Sequence, residues 1–156
     1  MKILFLSVGT LKKGYVKEGF GDYLTRIKRY VKVESQEVRE GLGTTKAPKI
    51  DVMRKEGARL LEKVKEGDRV VALVVDAKAP DTKEFARVIE DTLACAVKRL
   101  VFITGGSYGL HESVIKRADR KLSLSNLTLP HELARLVIAE QVYRAFTIIN
   151  GEPYSH

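Results

Sequence analysis

The sequence is poor in the residues that small secreted folds use to hold themselves together. Cys95 is the only cysteine in 156 residues, so no disulfide can form within the chain. A reducing compartment fits that count. The neighbours of Cys95 are Leu93, Ala94, Ala96 and Val97, which predicts a buried helical thiol serving as a small core hydrophobe. With 4 prolines and no low-complexity stretch, the composition excludes collagen-like and disordered chains. No apolar run approaches the roughly 18 residues of a membrane span. No group of histidines, cysteines and carboxylates has metal-ligand spacing, so neither a membrane nor a metal is expected as a partner. Met1 opens directly onto "KILFLSVG", which lacks the charged leader, longer apolar centre and small-residue cleavage site of an export signal. The expectation is a cytoplasmic protein.

What the chain does have is length and positive charge. Its 156 residues suffice for one ordinary domain, 1–156, with a core that needs no covalent staple. Lysine and arginine number 28 against 20 acidic residues, giving a formal net charge of +8. A polyanionic partner follows naturally, because basic side chains gain free energy by releasing counterions from phosphates. The charges are spread in clusters, at Lys12-Lys13, Arg26-Ile27-Lys28-Arg29, Lys98-Arg99 and Lys116 to Lys121, so a solvated basic surface is the alternative.

Strand-like runs recur at Ile3–Val8, Val31–Val38, Arg69–Val75, Leu100–Thr104 and a short "LSLS" at 122–125. Helical spacing of apolar residues lies between them, over Tyr15–Tyr30, Val52–Val64 and Phe85–Val97. The alternation predicts an α/β fold with a parallel β-sheet flanked by helices. Glu40 to Lys49 is the one long polar connection and reads as a mobile surface loop. In "APDTKEF", Pro80, Asp81 or Thr82 serves as a helix cap with Glu84 in the first turn. The last helix, His131–Ile149, carries Leu133, Leu136, Val137, Ile138, Val142, Tyr143, Phe146 and Ile148 in nearly every direction around its axis. Such a helix is buried on more than one side, which implies cover by a second subunit or an internal position.

Three segments that follow strands carry more than a fold requires, and ligands of open α/β sheets bind beyond the carboxyl ends of strands. The first is Leu73-Val74-Val75-Asp76-Ala77-Lys78. The second is "ITGGSYGL", residues 103–110, whose three glycines within five positions each cost folding entropy. It matches neither a phosphate-binding P-loop nor the dinucleotide fingerprint, so a plain tight turn and a ligand-holding loop both stay open. The third is "LSNLTLPHELAR", where Ser125, Asn126 and Thr128 stand among leucines, an arrangement suited to the edge of a heterocycle such as adenine. An ordinary helix cap is the alternative there. On the apolar last helix Glu140 and Arg144 are spaced as an i,i+4 pair. Arg135 lies half a turn away, and two arginines there need carboxylate, phosphate or partner-chain contacts.

The stretches "GGSYGL" and "LSLSNLTLPHELARLVIAEQVYRAF", the terminal "PY" with a histidine, and the opening "KILFLSVGTLK" resemble the ribosomal RNA large subunit methyltransferase H (RlmH) family of the SPOUT superfamily, essentially end to end. The resemblance implies an S-adenosyl-L-methionine-dependent enzyme that methylates N3 of pseudouridine 1915 in helix 69 of 23S rRNA on the assembled ribosome. It also implies a homodimer and a SPOUT-type parallel sheet closed by a C-terminal trefoil knot. Carried over by position, the cofactor-binding residues are Leu73, Gly105, Leu124, Ser125, Asn126, Leu127, Thr128 and Leu129. The uracil-type N3–H is a weak acid, so a base or a cation beside the developing anion is needed. His131, Arg135, Arg144, Tyr154 and His156 are candidates, and the family's basic tail favours Arg144, Tyr154 and His156 as catalytic residues. Two departures stand out: Ala77-Lys78 replaces the family's frequent Gly-Lys, and Ser155 separates Tyr154 from His156. A non-catalytic basic module that binds RNA or the ribosome is the competing reading.

Overall fold

Ile3 and Phe5 alternate with Leu4 and Leu6 along the first strand, so both of its faces are apolar and both need cover. A computed structural model, which describes residues 1–41 and 46–154, shows how that cover is built. Its strands are β1 (Lys2–Val8), β2 (Lys32–Val38), β3 (Arg69–Leu73), β4 (Arg99–Thr104) and β5 (Arg120–Leu122). The helices are α1 (Gly14–Ile27), α2 (Lys49–Leu61), α3 (Thr82–Ala94), α4 (Glu112–Arg117) and α5 (His131–Ile149). The strands form one sheet in the order β2-β1-β4-β3-β5, and every pairing is parallel. The predicted α/β sheet flanked by helices is therefore the architecture observed.

One core gathers Ile3, Phe5, Val71, Leu100 and Phe102 beneath α1, α3 and α5. The other gathers Leu4, Leu6, Val70, Ala72, Val101 and Ile103 beneath α2 and α4. The first core has an aromatic seam. Phe20 of α1 meets Phe5 edge-on at 5.7 Å, Phe5 stacks on Phe102 at 5.8 Å, and Phe102 meets Phe85 of α3 at 6.0 Å. Helix starts follow the sequence: Asp81 forms a reciprocal capping box with Glu84, and His111 caps α4 by accepting from the Ser113 N–H.

The boundaries differ in instructive places. β5 is Arg120–Leu122, ahead of the apolar "LSLS" at 122–125, because the edge of β3 pairs with Arg120 to Leu122 and the serines that follow build a turn. β3 ends at Leu73, two residues before the expected end. The thiol of Cys95 is exposed, which corrects the buried helical reading. It stands at the C-cap of α3, and Ala96 follows with φ +52°, so the backbone turns away before the apolar neighbours of Cys95 can continue the helix. Of the 40–49 connection, Lys49 already belongs to α2, and residues 42–45 lie outside the described residues.

The last helix is covered by α1 and α3 of its own chain. Ile138, Ala139, Val142, Ala145 and Phe146 are buried, while Leu133, Val137, Glu140, Arg144 and Ile148 form a half-open stripe at i,i+3 and i,i+4 spacing. Arg135 is on the buried side. Its guanidinium donates to the Gly9 carbonyl at 2.9 Å and pairs with Glu37 of β2, so the buried arginine has the carboxylate its burial demands. Glu132 adds a second tie by accepting from the backbone N–H groups of Lys13 and Lys12 at the start of α1, at 3.1 and 3.0 Å.

A second ion pair fixes the opposite end of the sheet. Arg99 at the start of β4 donates to Asp68 before β3, with Nε 2.8 Å from Oδ1. Burial raises the Asp68 pKa, but the bonds from Arg99 and the Lys65 N–H and the charges of Arg99 and Arg117 outweigh it, and the net shift is downward. A carboxyl lowered in the folded state contributes stability above its unfolded pKa and loses it as pH falls through the folded value. Arg99→Gln is expected to destabilise the protein by about 3 kcal/mol near neutrality. It should also flatten the acid limb of the stability curve, as measured by urea unfolding from about pH 3 to pH 7.

Candidate functional site

Parallel strands send all their carboxyl ends to one side, and the three segments singled out in the sequence meet there. The tips of β3 and β5 are joined by Val74 N–H to Leu122 carbonyl (2.9 Å) and Ser123 N–H to Lys78 carbonyl (3.1 Å). Between β3, the β4–α4 turn and the β5–α5 loop lies a cavity of about 610 Å³. That volume lies within the ~300–1,000 Å³ of small-molecule and cofactor sites. Among the residues expected to bind cofactor, Leu73, Gly105, Leu124, Ser125, Leu127, Thr128 and Leu129 all line it. Asn126 does not; it occupies the exposed apex of the loop. Ala77 is also absent from the lining, so its methyl group takes no room from the cavity.

The glycines have separate reasons. A Cβ on Gly105 would stand 2.6 Å from the Gly109 carbonyl carbon and 2.8 Å from its oxygen, where the chain folds back on itself. Gly109 has φ +86° and donates its N–H to the Gly106 carbonyl at 3.0 Å, closing a tight turn over Ser107 and Tyr108. The facing loop is shaped by serines. The Ser123 hydroxyl donates to the Ser125 carbonyl, and the Ser125 hydroxyl accepts from the Leu127 N–H, both at 2.9 Å. The two small polar side chains thus hold the backbone while Leu124 and Leu129 face the cavity.

Five large hydrophobic side chains are exposed among the described residues, and three of them line this cavity: Leu127 at 77%, Val75 at 66% and Tyr108 at 48%. An apolar rim left in water marks a surface with a use. Tyr108 lies beneath the Lys49 ammonium, 5.4 Å from the ring centre. Among the described residues, the titratable ones lining it are Tyr108 and His131, with no lysine, arginine or carboxylate.

Of the catalytic candidates, His131 lines the cavity, whereas Arg144 and Tyr154 sit elsewhere in the single chain. Arg144 is ten residues beyond the lining residue Ala134, about 15 Å along the helix axis. Its Nε and Nη2 donate to Glu140 at 2.9 and 2.6 Å, the i,i+4 pair that the spacing suggested. The guanidinium carbon lies 4.7 Å from the Tyr154 ring centre. The Tyr154 hydroxyl is 3.4 Å from those of Tyr23 and the Glu140 carboxylate. Burial first, then the bond to Tyr23, pushes its pKa up to about 12. At neutral pH Tyr154 is therefore a hydrogen-bonding phenol and not a base. His156, with Ser155, lies outside the described residues.

The family of SPOUT methyltransferases, described as "Predicted SPOUT methyltransferase", matches residues 1–156. Ribosomal RNA large subunit methyltransferase H of Listeria welshimeri serovar 6b is 42% identical over 99% of both chains. The protein of the same name from Limosilactobacillus reuteri is 43% identical, again over 99% of both. The chain belongs to the ribosomal RNA large subunit methyltransferase H family of SPOUT methyltransferases. The fold has a solved counterpart in a structure titled as a probable methyltransferase from Bordetella pertussis Tohama I. It has a TM-score of 0.54 at 14% identity, covering 92% of this chain and 95% of that one. As a SPOUT methyltransferase the chain uses S-adenosyl-L-methionine. The cavity fits that group in its volume, its apolar walls and the bare backbone that Gly105, Gly106 and Gly109 expose.

Gly105→Ala should drive a methyl group into the Gly109 carbonyl. A loss of about 1–3 kcal/mol of stability, as for other overpacked sites, is expected in urea, together with loss of the calorimetric signal for S-adenosyl-L-methionine. Ser107→Ala, at the exposed apex of the same turn, should leave the fold unchanged in the same unfolding measurement.

Proposed function

We propose that this methyltransferase modifies large-subunit ribosomal RNA, at N3 of pseudouridine 1915 in helix 69 of 23S rRNA on the assembled ribosome. The observation that carries the reading is the convergence of three strand-tip segments on one apolar cavity, in a chain whose 42–43% identical relatives are named for large-subunit rRNA methylation. The net charge of +8 suits a polyphosphate partner.

In this reading Leu73, Gly105, Leu124, Ser125, Leu127, Thr128 and Leu129 hold the methyl donor, with Asn126 at the apex of the same loop. When bound, S-adenosyl-L-methionine supplies a methyl group already activated on a sulfonium, so the chemistry asks the protein for alignment and charge control. The described lining holds no lysine or arginine for a ring nitrogen losing its proton, and we assign that role to the three catalytic candidates of the C-terminal segment. Arg144 supplies positive charge, Tyr154 donates a hydrogen bond from its neutral phenol, and His156 completes the basic tail.

Those groups reach a cavity when two copies of the chain assemble. The half-open stripe of α5, with Leu133, Val137, Arg144 and Ile148, is the face we assign to the homodimer, and it carries Arg144 into the interface. The trefoil threading of α5 belongs to the same proposal.

Ribosomes lacking the modification, incubated with labelled donor and the protein, should become labelled at that one pseudouridine, located by mass spectrometry. Arg144→Ala and Tyr154→Phe should each lower turnover on the order of a hundredfold while donor binding persists. Donor binding without labelling of any ribosomal nucleotide would contradict the reading, and ribosome binding without donor binding would favour the non-catalytic module.

A further inference from the structure

Glu56 is a buried carboxylic acid that neither the fold nor the proposed chemistry accounts for. It lies on α2 and is 5% exposed. Its Oε1 accepts from the Gly41 N–H at 2.7 Å, whereas Oε2 is buried and has no hydrogen-bond partner among the described residues. Leaving a buried oxygen unpaired costs on the order of 1–3 kcal/mol, so its position needs a reason.

The reason is adjacent. A Cβ on Gly106 would come within 2.9 Å of Oε2 and 3.3 Å of Oε1, with Val8 Cγ1 at 3.2 Å. The carboxyl thus fills the space where residue 106 would carry a side chain, and Gly106 itself lines the cavity. The other end of the contact is equally confined. A Cβ on Gly41 would stand 2.3 Å from Val52 Cγ1 and 3.2 Å from Val52 Cα, so the chain at Gly41 is pressed onto α2 and its N–H is held against Oε1. Helix, connector and glycine turn therefore meet at one side chain.

Glu56 is suited to act by shape. Burial pushes its pKa upward; the Gly41 bond opposes this, as do the charges of Arg59 on α2 and His131 on α5, while Glu40 in the connector adds to it. The net shift is upward, and glutamine keeps both the size of the side chain and the acceptor oxygen that Gly41 uses.

We propose that Glu56 is a positioning residue for the methyl-donor site, propping Gly106 from behind so that the turn Gly105–Gly109 presents its backbone at a fixed depth in the cavity. The inference rests on the reading that this cavity holds the donor. It assigns Glu56 no contact with donor or RNA.

The experiment is a double-mutant cycle read by calorimetric titration of S-adenosyl-L-methionine into the full chain, with thermal unfolding followed for every variant. Gly106→Ala alone should weaken binding about tenfold, because its methyl group collides with the carboxyl. In the Glu56→Ala background the same change should weaken binding no more than about twofold, a coupling expected of side chains in direct contact. Glu56→Gln should bind far more tightly than Glu56→Ala, since it restores both the volume and the acceptor for Gly41. Should Glu56→Ala not fold, Glu56→Asp takes its place in the cycle, its shorter side chain relieving the same contact. Equal effects of Gly106→Ala in both backgrounds, or wild-type affinity in Glu56→Ala, would overturn the proposal. Absence of donor binding by the wild-type protein would instead overturn the reading of the cavity.

Discussion

Arg135 settles where the last helix begins, and the cavity depends on that. The guanidinium joins the Gly9 carbonyl after β1 to Glu37 of β2, while Glu132, one turn earlier, grips the backbone at the start of α1. Between them they fix the first turn of α5 over the end of the sheet, which makes Pro130, His131 and Ala134 a wall of the cavity. A slip of one helical turn, about 5.4 Å, would remove that wall. The arrangement has a cost, because Arg135 Nε is buried with no partner among the described residues. A hydrophobic side chain would avoid that cost, but it could not bond to the Gly9 carbonyl and Glu37 at once.

The second constraint is parallel pairing. It delivers the ends of β3, β4 and β5 to a single crevice and leaves their connections to define its chemistry. Each connection solves a different local problem. Glycines permit the close return of Gly109 upon Gly105, serines brace the β5–α5 loop through their own hydroxyls, and β3 simply stops, leaving Val75 exposed. The result is a largely apolar chamber with no lysine, arginine or carboxylate in its described lining. That suits a donor whose reactive methyl group already rides on a cationic sulfur.

Much of this could be read from the residues. β1 and β4 are runs of branched and aromatic side chains, Asp81 with Glu84 is a capping box, and the three strand-tip segments were recognisable by their glycines, serines and misplaced leucines. β5 was expected two residues late, at 122–125, because Arg120 and Lys121 do not read as a strand; pairing with the edge of β3 overrides their weak propensity. Cys95 escaped because apolar neighbours imply burial only if the helix continues, and it ends at Ala94. Glu56 gave no signal, since a carboxylate in "RKEGARL" looks like the solvated face of a helix. Its burial arises from contacts with Gly41 and Gly106, 15 and 50 residues away in sequence. Arg144 drew notice as a charge on an apolar helix and Tyr154 through family likeness alone; in the single chain neither lines the cavity.

The margins of the sheet carry a consequence of their own. One border is β2, whose exposed residues include Lys32 and Glu34; the other is the three-residue β5 with Arg120 and Lys121. Charged or abbreviated borders discourage a neighbouring molecule from adding a strand, the ordinary route to runaway aggregation of open β-structure. Growth along the hydrogen-bonding direction is thereby disfavoured, which turns recognition of this molecule toward side chains on its helices and loops.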